Sequence, residues 1–325
     1  MFKRIINNLS LFIHLIYSNI YSSKRYLKYS SSFDNINSIL TYLIMMIHII
    51  EKGLIIPREQ FRLGFGEKHL TEIFFYLDKL FLISCNKPLD TRIDYVFSVL
   101  KLYLIIHKNL KADFIVPCHK EFEKYSHYID NANLITIPFV TQKDYEKAHE
   151  LNFADFCNLR HSIRDFSDER IPIEAIYSSI KLAQSAPSAC NRQNPRIIII
   201  RDKNCISHVM NLQHGGRTFA EKIDTLFIIC SDLEGYWYAN EQRCSLIDAS
   251  LFAMQFVNGL LYNGIGSCIL HWSVLPDKDK ELRKLINPPK NWEINILIAG
   301  GKLPQNTNTC PSIRRNPEDI IMMIE

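Results

Sequence analysis

Two arginines four apart around a serine, in "RHSIRDF" (160–166), have the chemistry to hold an oxyanion. Arg160 and Arg164 each offer a planar fork of donors, and the Ser162 hydroxyl adds one more. Taken alone, the same residues serve equally as a solvated surface loop, with Arg164 paired to Asp165 or Asp168. A second stretch, "APSACNRQ" (186–193), follows a helical pattern stopped by Pro187. There Ser188, Ala189 and Asn191 expose backbone amides and short side chains, which suits the edge of a flat heteroaromatic ligand; an ordinary turn is the alternative. In "GIGSCILHW" (264–272) the glycines permit a positive-φ helix exit, and the backbone of Leu270, His271 and Trp272 becomes approachable by a ring. Near the carboxyl terminus, "PSIRR" carries Ser312, Arg314 and Arg315, a second basic group that could close on the same anion.

A separate cluster lies in "HIIEKGLIIPREQFRLGFGEKH" (48–69). His48, Glu51 and Lys52 fall within one helical turn of each other, Gly53 is expected to cap that helix, and Glu51 could simply pair with Lys52 or Arg58. The functional alternative is a substrate-side segment that lines a cavity or binds an anionic group. A His-x-x-Glu pair also invites a metal, but no further ligand stands nearby in sequence, so no metal is expected.

The elements that must position these groups change character along the chain. Residues 1 to about 130 show long apolar runs at helical spacing with polar breaks at "SSSFDN", "PREQFRLGFGE" and "CNKPLD", and read as all-α. From about 150, helical stretches alternate with short β-rich ones: "RIIIIRD", "DTLFIICSD", "GSCILHW" and "EINILIAGG" read as strands, and a terminal helix is expected after Arg315. The expected division is therefore a helical region 1–150 and an α+β region 151–325, cut in "TQKDYEKAHELNF". Ile5, Leu9, Phe12, Ile16 and Ile20 recur at helical spacing, so residues 3–21 form an amphipathic helix that packs on the rest of the protein or, less favoured, lies on a membrane.

Bulk properties set limits. The chain has 325 residues, 47% hydrophobic, with 38 basic and 34 acidic side chains for a net charge of +4, so no global field argues for nucleic acid. Nine scattered cysteines with no Cys-x-x-Cys fit thiols in a reducing, cytoplasmic compartment. The apolar run at 38–50 is too short to cross a bilayer, which needs about 20 residues.

In combination, Arg-x-Ser-x-Arg, then "APSACNRQ", then an apolar helix ending in "GIGSC", then "PSIRR", resembles the nitroreductase family of flavin enzymes over roughly residues 155–325. The resemblance implies an α+β fold with a central, mainly antiparallel sheet flanked by helices, and a homodimer holding FMN at its interface. It places Arg160, His161 (by backbone), Ser162 and Arg164 at the phosphate and ribityl chain. It sets Pro187, Ser188, Ala189 and Asn191 along the isoalloxazine ring, Leu270, His271 and Trp272 near flavin N5, and Arg314 at the phosphate. This sequence departs from the family where Gln193-Asn194-Pro195 stands in place of Gln-Pro-Trp, and where His271-Trp272 replaces a pair of small residues. Trp272 joins His48, Glu51 and Lys52 as a substrate-side candidate; no catalytic residue is assigned, with His271 the nearest. The "H-x-x-E-K-G-L…G-F-G" string is similar to an extension of nitroreductase-like proteins in bacterial surface-polysaccharide loci. The implied activity is electron transfer from NAD(P)H through FMN to a small acceptor. The alternatives are a flavin-binding or interaction protein without turnover, docking on a glycan-assembly partner or membrane, and a binder of some other phosphate.

Overall fold

In the computed structural model, residues 2–30, 35–84, 91–213 and 215–324 are described. The break at "CNKPLD", with Cys85, lies outside them, as do residues 31–34 of the "SSSFDN" break.

Apolar spacing near 3.6 folds the first part of the chain into α1 (Phe2–Ser30), α2 (Ile36–Leu54), α3 (Glu67–Ser84), α4 (Arg92–Leu110), α5 (His119–Lys124) and α6 (Ser126–Asn131). The Asn35 side chain caps α2 by accepting from Ser38 N–H at 2.9 Å. Leu43, Ile47 and Ile50 of α2 are buried with Leu70, Ile73 and Leu77 of α3 and Val96, Val99 and Tyr103 of α4. Gly53 does not end α2 as its position suggested. The helix runs to Leu54, and a Cβ at 53 would collide with the Phe65 ring, so the missing side chain serves packing. Gly64 and Gly66 do take positive φ just before α3, and Gly64 N–H donates to buried His107 Nε2 at 3.1 Å. Burial holds that imidazole below its ordinary pKa, against the opposing bond to the Tyr103 carbonyl. The amino-terminal helix forms and is longer than expected; its residues up to Ser22 group with the 139–307 segment, where Arg243 donates to Ser22 Oγ, while the apolar Leu9, Phe12, Ile16 and Ile20 are exposed.

The rest contains β1 (Phe139–Thr141), α7 (Gln142–Glu146), α8 (Phe153–Leu159), α9 (Ile173–Ala183), β2 (Pro195–Ile200), α10 (Lys203–Leu212), β3 (Thr225–Asp232), α11 (Cys244–Tyr262), β4 (Gly266–His271), α12 (Pro276–Ile286), β5 (Trp292–Gly301) and β6 (Asn306–Asn308). The main sheet has the order β2-β3-β5-β4, every neighbour antiparallel, with a bulge at Ile229/Cys230; β1 and β6 form a separate pair. On β3, Leu226, Ile228 and Cys230 belong to one core with α10 and α12 residues, and Phe227 and Ile229 to another with α9 and α11 residues. Helices thus cover both faces, which is why these strands read as unbroken apolar runs. The stretch including α11 (Ala239–Tyr262) is long and apolar enough to cross a membrane, but it is 56% buried and α11 packs on α9, β3 and β5 as a core helix.

The chain divides into two compact units, Met1–Ser22 with Phe139–Thr307 and Ser23–Pro138 with Asn308–Glu325, in place of a single cut at 150. The stretch expected to be the boundary is structured. Thr141 and Asp144 form a capping box at α7, and Tyr145 is buried in the sheet unit's core. The carboxyl-terminal segment joins the helical unit through Thr309 N–H to the Pro138 carbonyl at 2.8 Å and Thr91 Oγ1 to Asp319 at 2.9 Å. The terminal helix expected after Arg315 is only a single 3-10 turn, Pro317–Asp319.

Gly259 sets the α9–α11 approach, since a Cβ there would stand 2.7 Å from the Ser179 carbonyl oxygen. Gly259→Ala should overpack this crossing by roughly 1–3 kcal/mol, more than the ~1 kcal/mol gained in helix propensity. The expected readout is a lower urea midpoint for the sheet unit; a raised midpoint would mean the crossing has slack.

Candidate functional site

The 160–164 segment is extended. It begins where α8 ends at Leu159, and Ser162 bridges to Ser267 of β4, with Ile163 N–H donating to the Ser267 carbonyl at 2.9 Å. Asp165 pairs with Lys222 at 2.5 Å, and Arg164 donates to the Ser162 carbonyl at 3.3 Å. Of the two carboxylates that the surface-loop alternative gave to Arg164, Asp165 and Asp168, the first is thus held by a lysine from the turn before β3. The Arg160 guanidinium is half-buried and makes no hydrogen bond or ion pair with the described residues. It lies close enough to Tyr145 to act on that phenol, whose pKa burial pushes up to about 12, while a bond from His161 N–H and the arginine's charge oppose the rise. The His161 ring is turned to its own backbone, its Nδ1 3.0 Å from the Leu159 carbonyl.

The 188–193 loop is unusual in its backbone. Cys190, Asn191 and Gln193 all have positive φ, at 52°, 54° and 53°, and none is glycine. A left-handed conformation costs a non-glycine residue roughly 1–2 kcal/mol, so the surroundings must hold it. They do so at two points. Ser188 Oγ accepts from Gln193 N–H at 3.0 Å, closing the loop on itself, and buried Asp248 of α11 accepts from Ala189 N–H at 3.0 Å. The other oxygen of Asp248 accepts from Tyr236 Oη at 2.9 Å; burial and that bond push the Tyr236 phenol up to about 12. Arg192 pairs with Glu241 at 2.7 Å and stacks over the Trp237 ring, which fixes the loop's far side. Asp248 was not among the sequence candidates; its one signal is a lone carboxylate among apolar residues in "SLIDASLFAMQF".

At the end of β4, Leu270 is buried and His271 is exposed, with His271 Nδ1 accepting from Ser273 N–H at 3.2 Å. Gln213 holds the same strand end through the His271 carbonyl at 3.3 Å and turns its side-chain oxygen to the amides of Gly215 and Gly216. Trp272 does not stand at a surface. It is 7% exposed, packs in the core and donates its indole N–H to Asp279 at 3.1 Å, so its position is that of a packing residue.

The other candidates lie in the helical unit. Glu51 is engaged by groups other than those its sequence neighbours suggested. Its Oε2 is 2.9 Å from His48 Nδ1, and its Oε1 accepts from Ser312 N–H at 3.1 Å. Cys310 joins them, completing a group of three possible ligand atoms within 4.8 Å of one another. Sequence spacing could not find Cys310, which is far from His48 along the chain. Arg314 belongs to this unit, is exposed, and donates to the Ser312 carbonyl at 2.9 Å.

Residues 159–207 match the model of the Nitroreductase family, so the resemblance carried by the "RHSIRDF" and "APSACNRQ" motifs holds over this segment. The chain is 30% identical over 99 residues to "FMN reductase [NAD(P)H]" of Bacillus subtilis, spanning 37% of that protein's length and 30% of this chain. It is 22% identical over 160 residues to "Iodotyrosine deiodinase" of Thermotoga neapolitana, spanning 86% of that protein and 45% of this chain. Among solved structures, a nitroreductase family protein from Streptococcus pneumoniae is similar with a TM-score of 0.48 at 18% identity, covering all of that chain (100%) and 53% of this one.

The Asp248 anchor makes a direct prediction. Asp248→Ala removes charge-assisted bonds worth roughly 1.5–3 kcal/mol each and should speed hydrogen exchange at residues 188–193 well before global unfolding. Unchanged exchange there would mean the loop holds its conformation unaided.

Proposed function

We propose, from the nitroreductase-family match at 159–207 and the residues the resemblance assigns to the cofactor, that this chain is an FMN-dependent oxidoreductase that takes electrons from NAD(P)H and passes them to a small acceptor. The observation that carries this reading is the half-buried Arg160 guanidinium, which has no hydrogen-bond or ion-pair partner among the described residues. A cation so placed calls for an anion from outside the chain, and a flavin phosphate meets that need. The residues fit the cofactor in a second respect. The 188–193 loop holds its backbone in a conformation that costs energy and presents Ser188, Ala189 and Asn191 with short side chains, as the edge of a ring system requires.

When bound, FMN supplies the redox chemistry, accepting hydride equivalents and releasing them to the acceptor. The chain's part is to bind and orient. Arg160 and Ser162 hold the phosphate end, the Asp248-anchored loop fixes the ring edge, and the end of β4 closes the opposite side with Gln213 fastening its backbone. His271 is the candidate proton donor at the end of β4: the Ser273 N–H on Nδ1 leaves a neutral ring's proton on Nε2. This reading rests on the sheet unit alone. A homodimer belongs to it, because α11 exposes Ile247, Leu251 and Met254 along one side, an apolar stripe that a second copy would cover. Outside that unit, the similarity of the 48–66 string to an extension of nitroreductase-like proteins in surface-polysaccharide loci is the one support for an acceptor drawn from surface-polysaccharide assembly.

Arg160→Ala should raise the Kd for FMN by roughly 10- to 100-fold, the equivalent of one charge-assisted bond, and leave the far-UV circular dichroism unchanged. Flavin affinity equal to the parent's would return 160–164 to a surface loop. Light scattering should give a mass twice the chain's 38.0 kDa, and Leu251→Glu should lower it to one chain; a monomeric parent would remove the dimer from the reading.

A further inference from the structure

The helical unit carries a cluster of ligating side chains that the flavin reading does not use. His48 on α2 is 38% exposed at its side chain, whereas Glu51, one turn on, is 1% exposed and Cys310 is 4% exposed. One donor atom from each lies within 4.8 Å of the other two. A carboxylate this deeply buried is costly unless charge or hydrogen bonds compensate it, and Glu51 has His48 Nδ1 on one oxygen and the Ser312 amide on the other. Ser312 makes that bond from a positive φ of 46°, so the backbone beside Cys310 is held in an unfavourable conformation that keeps Glu51 oriented. Orientation of a carboxylate ligand by an outer hydrogen bond is the usual companion of a metal site.

A second feature lies in the same place. Tyr95 of α4 is 7% exposed, and among the described residues its hydroxyl has no partner at hydrogen-bond geometry, although the Glu51 carboxylate lies near enough to act on it. Burial, together with the Glu51 carboxylate and Cys310 close by, drives its pKa far above that of an ordinary phenol. An unsatisfied buried hydroxyl costs roughly 1–3 kcal/mol, which a bound water or ligand beside the three donors would recover.

We infer that His48, Glu51 and Cys310 form a site for a zinc-like divalent transition-metal ion. Imidazole nitrogen, carboxylate oxygen and thiolate sulfur together match a borderline-soft ion and not magnesium or calcium, which take oxygen ligands. Three protein donors leave a fourth tetrahedral position for water, and the Tyr95 hydroxyl is the group that bonds it. Binding replaces the Cys310 S–H bond with a sulfur–metal bond and releases that proton to solvent, with no change of oxidation state. His48, the exposed member, marks the side from which the ion arrives. Because Cys310 and Glu51 sit far apart in sequence, the ion would also tie the carboxyl-terminal segment 308–324 to α2.

The full-length protein, reduced and incubated with zinc chloride, should retain one zinc per chain after gel filtration against a weak chelator, measured by elemental analysis. X-ray absorption at the zinc edge should find one sulfur neighbour at about 2.3 Å, with nitrogen and oxygen neighbours at about 2.0–2.2 Å. Cys310→Ser should lose the sulfur neighbour, and Cys310→Ser and His48→Ala should each weaken zinc binding by at least the roughly 100-fold that loss of an outer-shell partner can cause. His48→Ala, at a half-exposed position, keeps the test valid should Cys310→Ser misfold. Zinc lost on filtration, more than one sulfur neighbour, or retention unchanged in His48→Ala would overturn the site and leave a hydrogen-bonded His–Glu pair beside a thiol. None of these outcomes depends on flavin.

Discussion

A single buried carboxylate does the most to shape the sheet unit's candidate site. Asp248 stands on α11, the helix that packs against both α9 and the central strands, and one of its oxygens takes the Ala189 amide. Without that anchor nothing on α11 would hold a loop in which three of four consecutive residues are left-handed and not glycine. The same carboxylate takes the Tyr236 hydroxyl, so the segment after β3 is tied to the same point. Removing a carboxylate from water is expensive, and two donors aimed at it are what make the burial tolerable.

The approach of α9 to α11 is the second constraint, because the loop leaves directly from the end of α9. Gly259 lets the two helices come close enough for the Ser179 backbone to rest on α11, and Asn263 fastens the crossing through Ser179 Oγ at 3.1 Å. Placement of Arg160 has a different origin. The 160–164 segment is laid alongside β4 by the Ser162–Ser267 bridge, and β4 is one of the two edge strands of the main sheet. The two halves of the proposed cofactor site are thus built on separate supports, one on helix packing and one on a strand edge.

What could be read from the sequence follows from which forces act locally. The strands β2 to β5 and helices α9 to α12 were legible because apolar periodicity and stop signals are short-range. Pro172 before α9 and Gly264 after α11 both sit where such signals predict. Long-range decisions were not legible. Cys310 reaches Glu51 only because the last residues leave the sheet unit for the helical one, and no spacing rule encodes that exchange. Gly53 looked like a helix stop because a glycine's role depends on what approaches it, here the Phe65 ring. Trp272 looked like a wall of the site because an aromatic beside a candidate strand end does not reveal that its indole turns inward to Asp279.

The central claim is that the sheet unit holds a flavin, and the visible spectrum of the full-length protein tests it most directly. After incubation with FMN and gel filtration, the account predicts co-eluting flavin absorbance at one equivalent per chain, bleached on adding NADH or NADPH under anaerobic conditions. Protein that elutes colourless, with all flavin in the small-molecule fraction, would contradict it.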